Sequence, residues 1–453
     1  MSGRVSKLVS DPIQVVLDGE QIAASRGEPV VCALLAAGKF ALARSPKFHR
    51  PRGPACLRAA CDGCLARVDE VPNVMTCMVA ARDGMQIRTQ NTLGSRQVDL
   101  LRMTDWFFPE GLDHHRLFAG VPGVQALMQG FARRVAGLGR LPAEAAAPRG
   151  ARRREVDVVV VGAGPAGMAV AARLAQKQRS VEVIDDQLAH GGGLRALGRE
   201  DARAWEPIVR GFDEGVASGR VRLRTSTTAG ALYGDDLLVI GPEGAEVVNA
   251  RALVIATGAH DGVLPFEGND VPGVMSARAG GWLLSYGVMV GKTVAIVVSD
   301  GGGPFGDAYA RAARERGAPC DVVLVRGEPI RVSGSARVNA CIVREGGKER
   351  KIKADALLVD APRAPSYELS EQAGATIHHV APGFVPRAER GKIREGVWVL
   401  GEAAGTLFEP SALARDAGDV AEQIEQYQSS TSAPNNASPP PIASPSKTPS
   451  STK

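Results

Sequence analysis

An α/β chain, with a small N-terminal β-grasp module followed by two Rossmann-type dinucleotide-binding units, is what these 453 residues predict. Three observations carry that reading. Residues 12–92 alternate apolar and polar positions around short turns, which suits strands with one buried face. A strand, a glycine-rich turn and a helix open from Glu155. A second unit of the same kind lies inside the first.

The elements follow in order. IQVVLDGEQIAA reads as a hairpin with Asp18-Gly19 at its tip, and PVVCALLAAG as a helix stopped by Gly38. DGMQIRTQ closes the module as a strand. Residues 93–154 form a connecting segment, in which VQALMQGFARRVAGL has the pattern of an amphipathic helix and Leu141–Arg154 the composition of a linker. Residues 155–270 and 370–427 make the first nucleotide unit, with 271–369 inserted as the second. Residues 428–453 are rich in Ser, Pro, Thr, Asn and Lys and are expected to be a disordered tail.

Composition narrows the function classes. A net charge of +5 and 4% aromatic residues give little for nucleic acid to bind or stack on, so the basic run Arg149–Arg154 is read as a solvated linker. No apolar h-region opens the chain and no run is long enough to span a bilayer, so a cytoplasmic protein without a transmembrane segment is expected. Seven cysteines, an odd count, argue against a disulfide framework.

Four of those cysteines crowd together as Cys56-x4-Cys61-x2-Cys64-x12-Cys77. That is the plant-type spacing of a [2Fe–2S] cluster, with three thiolates from one tight loop and the fourth from a strand brought back beside it. A four-cysteine zinc site is the competing reading, although zinc ribbons pair two C-x2-C knuckles and only one is present. The first gap holds Leu57, Arg58, Ala59 and Ala60, with no glycine where a tight loop profits from backbone freedom. Cys32 sits in an apolar helix pattern, and Cys320 and Cys341 lack the spacing of a redox disulfide.

The second signal is VVVVGAGPAGMAVAARLA. Gly162-x-Gly164-x-x-Gly167 follows the strand Val158–Val161 and opens a helix, whose N-terminus offers N–H groups to a diphosphate. The next strand, VEVID, ends on Asp185, with Asp186 as the neighbouring alternative for the ribose. FAD is the expected occupant, and NAD or another adenine nucleotide is the alternative. A vacant fold kept as scaffold is the bland reading. Gly301-x-Gly303-x-x-Gly306 repeats the pattern, but Arg326 stands where an acid is usual; it suits a 2′-phosphate of NADP or marks a loop that binds nothing. ALVIATGAH, through Gly258, and VWVLGEAAG, through Gly401 and Glu402, mark two later strand ends beside the nucleotide. None of the seven histidines has ligand spacing with a carboxylate, so no acid–base set is evident, and His49 is most simply structural.

PKFHRPRG (46–53), TCMVAARDGMQIRTQN, WFFPEG…RRVAGLGRLP, GAGPAG and ATGAHDGVLPFEGNDVPGVM occur in this order. In them the chain resembles the alpha subunit of heteromeric sarcosine oxidase and its relatives, the opine oxidases, dye-linked proline dehydrogenases and hydrogen cyanide synthase. The resemblance covers roughly residues 12–427. The cluster cysteines make the chain more similar to the opine oxidase and cyanide synthase side. The family's folate-binding half has no counterpart here, so folate chemistry is expected to lie outside the chain.

The resemblance implies a ferredoxin-like module joined to a two-dinucleotide-binding flavoprotein fold. It implies that Gly401 and Glu402 occupy the position where an acid meets the flavin's ribityl or phosphate region. It also implies a beta-type flavoprotein subunit that carries the substrate site and oxidises a C–N bond, with electrons leaving through the cluster to an external acceptor. The apolar segment Trp106–Leu141 is expected to meet that partner. A self-contained NAD(P)H-dependent reductase and a non-catalytic scaffold subunit stay open as alternatives.

Overall fold

The computed structural model describes residues 3–5, 11–45, 48–90, 92, 98–103, 105, 123–124 and 150–431. The amphipathic helix expected near residues 124–138 and the segment 106–141 therefore lie almost wholly outside the described residues, as do residues 432–453.

Strands Pro12–Leu17 and Glu20–Ser25 pair antiparallel across Asp18-Gly19. Both tip residues have positive φ, which is the twist a tight hairpin demands. Ile13, Val15 and Leu17 turn inward onto the helix Val30–Ala36, all seven of whose residues are buried. Each large side chain among them stabilises the module by about 1.5–3 kcal/mol. Gln86–Arg88 runs parallel to Pro12–Leu17 and completes a five-stranded sheet with Leu65–Val68 and Val71–Met75. This is a β-grasp arrangement, and the cysteine loop enters it just before Leu65.

The larger part is built on the strand Arg152–Val161, which pairs in parallel with Val181–Ile184 on one side and Gly244–Ile255 on the other. Val158–Val161 is apolar without alternation because both faces are covered. Helices Pro165–Gln176, Glu206–Ala217 and Pro410–Thr431 pack on one face. The hairpin Thr228–Tyr233 and Asp236–Gly241 buries Leu232, Leu237 and Val239 in a second core on the other. Val397–Val399 adds to Gly244–Ile255 and returns the late chain to the nucleotide end of the sheet.

A smaller parallel sheet follows, in the order Val274–Ser276, Ala356–Asp360, Thr293–Val298, Asp321–Arg326. Helices Ala277–Ser285 and Phe305–Glu315 lie against it, and a three-stranded antiparallel sheet contributes Val332, Val338 and Val343 to its other face. One buried apolar cluster joins all three parts, from Val15 and Leu34 through Leu284 and Val288 to Val170 and Leu174.

Two expectations need correction. The linker reading of 141–154 runs too far, because Arg152–Arg154 are already strand. Arg154 belongs to an ion network, reaching Glu246 at 3.1 Å beside the buried Glu182, which Arg224 meets at 3.0 Å. A carboxylate on a buried strand needs such partners, and losing one costs about 3–5 kcal/mol. The tail set at 428 also begins too early: the last helix continues to Thr431, and Gln428 is buried against Asp157. No helix among the described residues is long and apolar enough to cross a membrane.

Candidate functional site

The cysteine loop explains its own lack of glycine. Leu57 and Ala59 both take positive φ, at 54° and 59°, which costs about 1–2 kcal/mol per non-glycine residue. The alternation turns successive N–H groups inward: those of Arg58 and Ala60 face the Cys56 sulfur, and that of Ala59 faces Cys77. Such a nest suits an anionic sulfur cluster. At Gly63 a side chain has no room, since a Cβ there would stand 1.8 Å from the Gly53 carbonyl oxygen.

The four thiols form two pairs. Cys56 donates to Cys61, and that hydrogen bond, with the N–H groups of Ala55 and Gly63, draws Cys61 down to about 6. Cys77 donates to Cys64 and is itself pushed up. Among the described residues no three Cys, His, Asp or Glu side chains gather round a single point, as one tetrahedral zinc ion would ask. Two pairs instead fit two irons, each with two cysteine sulfurs.

The first glycine loop borders a cavity of about 400 Å³. Gly162 has φ +106°, and a Cβ there would meet the Ala256 carbonyl oxygen at 2.3 Å. Gly167 lies 1.9 Å, by the same measure, from the Gly162 oxygen, so strand and helix touch there. Gly164 differs: its Cβ would meet nothing within 4 Å and points into open space at the cavity wall. That space, beside the N-terminus of the helix Pro165–Gln176, fits a diphosphate.

Asp185 and Asp186 both line the cavity. Asp185 accepts from Ala163 N–H at 2.6 Å and Gln187 N–H at 2.9 Å, locking the glycine loop to the strand end. Burial, and then Asp186, push its carboxyl up to about 6. Gly258 and Glu402 line the same cavity, whereas Gly167 and Gly401 lie behind it in close backbone contacts. Glu402 is paired with Arg363 at 2.7 Å.

The second glycine loop is filled by the chain itself. Asp360, 3% exposed, accepts from Gly303 N–H at 3.1 Å and Gly306 N–H at 2.7 Å. A Cβ on Gly303 would stand 1.9 Å from an Arg363 nitrogen. Arg326 is held by Asp307 at 2.9 Å. The donors that a diphosphate needs are taken by an internal carboxylate, so the residues present do not fit a second dinucleotide.

Several cavity residues carry no sequence signal. Arg58, Ala59 and Ala60 of the cysteine loop line the cavity, as do Arg278 and Trp282. His260, just past the ATG turn, meets Glu368 at 3.0 Å. His49 is buried against Asp99 at 3.0 Å.

Comparison with known proteins agrees with this geometry. A family described as 2Fe-2S iron-sulfur cluster binding domain matches residues 10–92, and one described as pyridine nucleotide-disulphide oxidoreductase matches 156–345. The chain is 29% identical to the alpha subunit of sarcosine oxidase from Rhizobium meliloti over 76% of its own length and 39% of that protein's. It is 25% identical to the A-type subunit of opine oxidase from Agrobacterium tumefaciens over 55% of its length and 61% of that protein's. It thus spans about two-fifths of the length of the first of these relatives. The L-proline dehydrogenase structure from P. horikoshii shares the fold, with a TM-score of 0.69 at 21% identity, over 94% of this chain and 75% of that one. The cofactors that go with the two modules are a [2Fe–2S] cluster and FAD. By its paired domains and these relatives, the chain belongs to the alpha-subunit family of the heteromeric sarcosine and opine oxidases, as a flavin and iron–sulfur oxidoreductase subunit.

Proposed function

We propose that the chain is the electron-transferring subunit of a heteromeric dehydrogenase or oxidase acting on CH–NH donors, with the substrate oxidised on a beta-type flavoprotein partner. The observation that carries this reading is the shared wall: Ala59 and Ala60 of the cysteine loop line the cavity beside Gly162 and Gly164. Cys56 and Cys61 hold one iron of the cluster, and Cys64 and Cys77 the other. Gly162, Gly164 and the helix N-terminus hold the diphosphate of FAD, with Asp185 or Asp186 at the ribose. Gly258 and Glu402 border the rest of the cofactor, and Gly167 and Gly401 let the backbone close beneath it. When bound, FAD supplies exchange between two-electron and one-electron chemistry, and the cluster supplies single-electron exit. The donor class follows the relatives, which are oxidases and dehydrogenases of sarcosine, opines and L-proline.

The self-contained NAD(P)H reductase fits the residues less well, because Asp360 and Arg363 already occupy the second loop. The test uses the purified chain holding both cofactors. Sarcosine and L-proline are expected to give no dye reduction with the chain alone, and neither is NADH or NADPH. Dye reduction by an amino acid is expected once a co-expressed beta-type flavoprotein co-purifies. Full-rate amino-acid oxidation by the lone chain, or rapid bleaching by NAD(P)H, would overturn the reading.

A further inference from the structure

Arg58 belongs to the cysteine loop at one end and to the nucleotide cavity at the other. Its backbone N–H lies 3.4 Å from the Cys56 sulfur. Its side chain crosses to the larger unit, where the guanidinium donates to the carbonyl oxygen of Ala259 and lies 3.5 Å from that of Thr257. Arg278 donates to the same Ala259 oxygen at 2.7 Å, so two guanidinium groups share one acceptor.

The charges around them do not cancel. Arg278 is paired with Asp261 at 2.9 Å. Among the described residues Arg58 has no carboxylate within 4.0 Å; its two contacts are to neutral carbonyls. Like charges brought together out of bulk water are costly unless an anion joins them. Arg58, Thr257 and Gly258 line the cavity that Gly162 and Gly164 border, and a Cβ on Gly162 would stand 3.4 Å from the Thr257 nitrogen. The uncompensated charge therefore stands next to the glycine loop.

We propose that Arg58 is a binding residue for the diphosphate of the dinucleotide, supplied to the nucleotide unit by the cluster module. This rests on the reading of the first glycine loop as the FAD site. An arginine fork suits a diphosphate, since it donates two parallel, charge-assisted hydrogen bonds. Because the same residue donates its N–H to a cluster sulfur, FAD affinity depends on the cluster module being docked.

The experiment measures FAD binding to the deflavinated full chain by fluorescence quenching, with iron content determined in parallel. Arg58→Met is expected to weaken FAD binding on the order of tenfold or more, consistent with loss of a charge-assisted pair, while iron stays at wild-type level. Arg58→Lys, which keeps the charge but not the fork, is expected to fall between the two. The wild type is expected to lose FAD affinity with added salt more steeply than Arg58→Met. FAD binding by Arg58→Met within twofold of wild type, with Gly164→Val having lost it, would overturn the role of Arg58 alone. If Gly164→Val binds FAD normally, the site reading fails as well. Should Arg58→Met lose its iron, Arg58→Lys decides: weaker binding than wild type supports the proposal, and equal binding overturns it.

Discussion

Cys61→Ser is expected to lower bound iron from about two atoms per chain to near zero and to remove the visible charge-transfer absorbance. Cys61 is the half-exposed member of the Cys56–Cys61 pair, and its thiolate is favoured by the Cys56 thiol and by backbone N–H groups. A serine oxygen is a harder, less acidic ligand and does not replace thiolate on iron. The effect is specific to the four-cysteine loop. Cys320→Ser, at a half-buried thiol that burial pushes up, is expected to keep its iron. Iron and zinc analysis after anaerobic purification reads both variants. Full iron in Cys61→Ser would remove it from the ligand set.

Gly164→Val is expected to abolish bound FAD, from about one per chain to below a few percent, while the chain folds normally. The reason lies in what each glycine faces. A Cβ at Gly162 or Gly167 would run into backbone oxygens at 2.3 and 1.9 Å, so substitution there disturbs the fold itself. A Cβ at Gly164 meets no protein atom within 4 Å, and its φ of −75° is open to any residue. The branched side chain then fills only the space where the diphosphate approaches. Released nucleotide, separated by chromatography after denaturation, gives both its amount and its identity, FAD against NAD or another adenine nucleotide. Thermal melting of the deflavinated forms should give equal midpoints for variant and wild type. Retention of FAD at wild-type level would contradict the assignment.

Local signals make the two cofactor motifs legible. The C-x4-C-x2-C spacing and the glycine loop are contiguous in sequence, so the chemistry that needs them leaves a readable mark. The hairpin at Asp18-Gly19 and the buried helix at Val30–Ala36 are legible for the same reason.

What stays hidden depends on contacts between distant residues. In the sequence Arg58 is an awkward substitute for glycine, and its partner carbonyls lie about 200 positions away. The Gly301–Gly306 loop reads as half-competent, because the carboxylate that fills it comes from Asp360, at the end of another strand. His260 and Glu368 meet only because Ala259–His260 pairs with Ala364–Pro365. Arg152–Arg154 read as linker because composition does not reveal that Glu182 and Glu246 await Arg154 across the sheet.

The association of both cofactors in one redox unit is tested most directly by anaerobic reductive titration of the purified chain, followed by visible absorbance and low-temperature EPR. The expected uptake is about three electron equivalents per chain, two for FAD and one for the cluster. An EPR signal from the reduced cluster should appear in the same titration in which the flavin absorbance bleaches. Stoichiometric zinc without iron, or a chain whose flavin bleaches while no cluster signal ever forms, would contradict it.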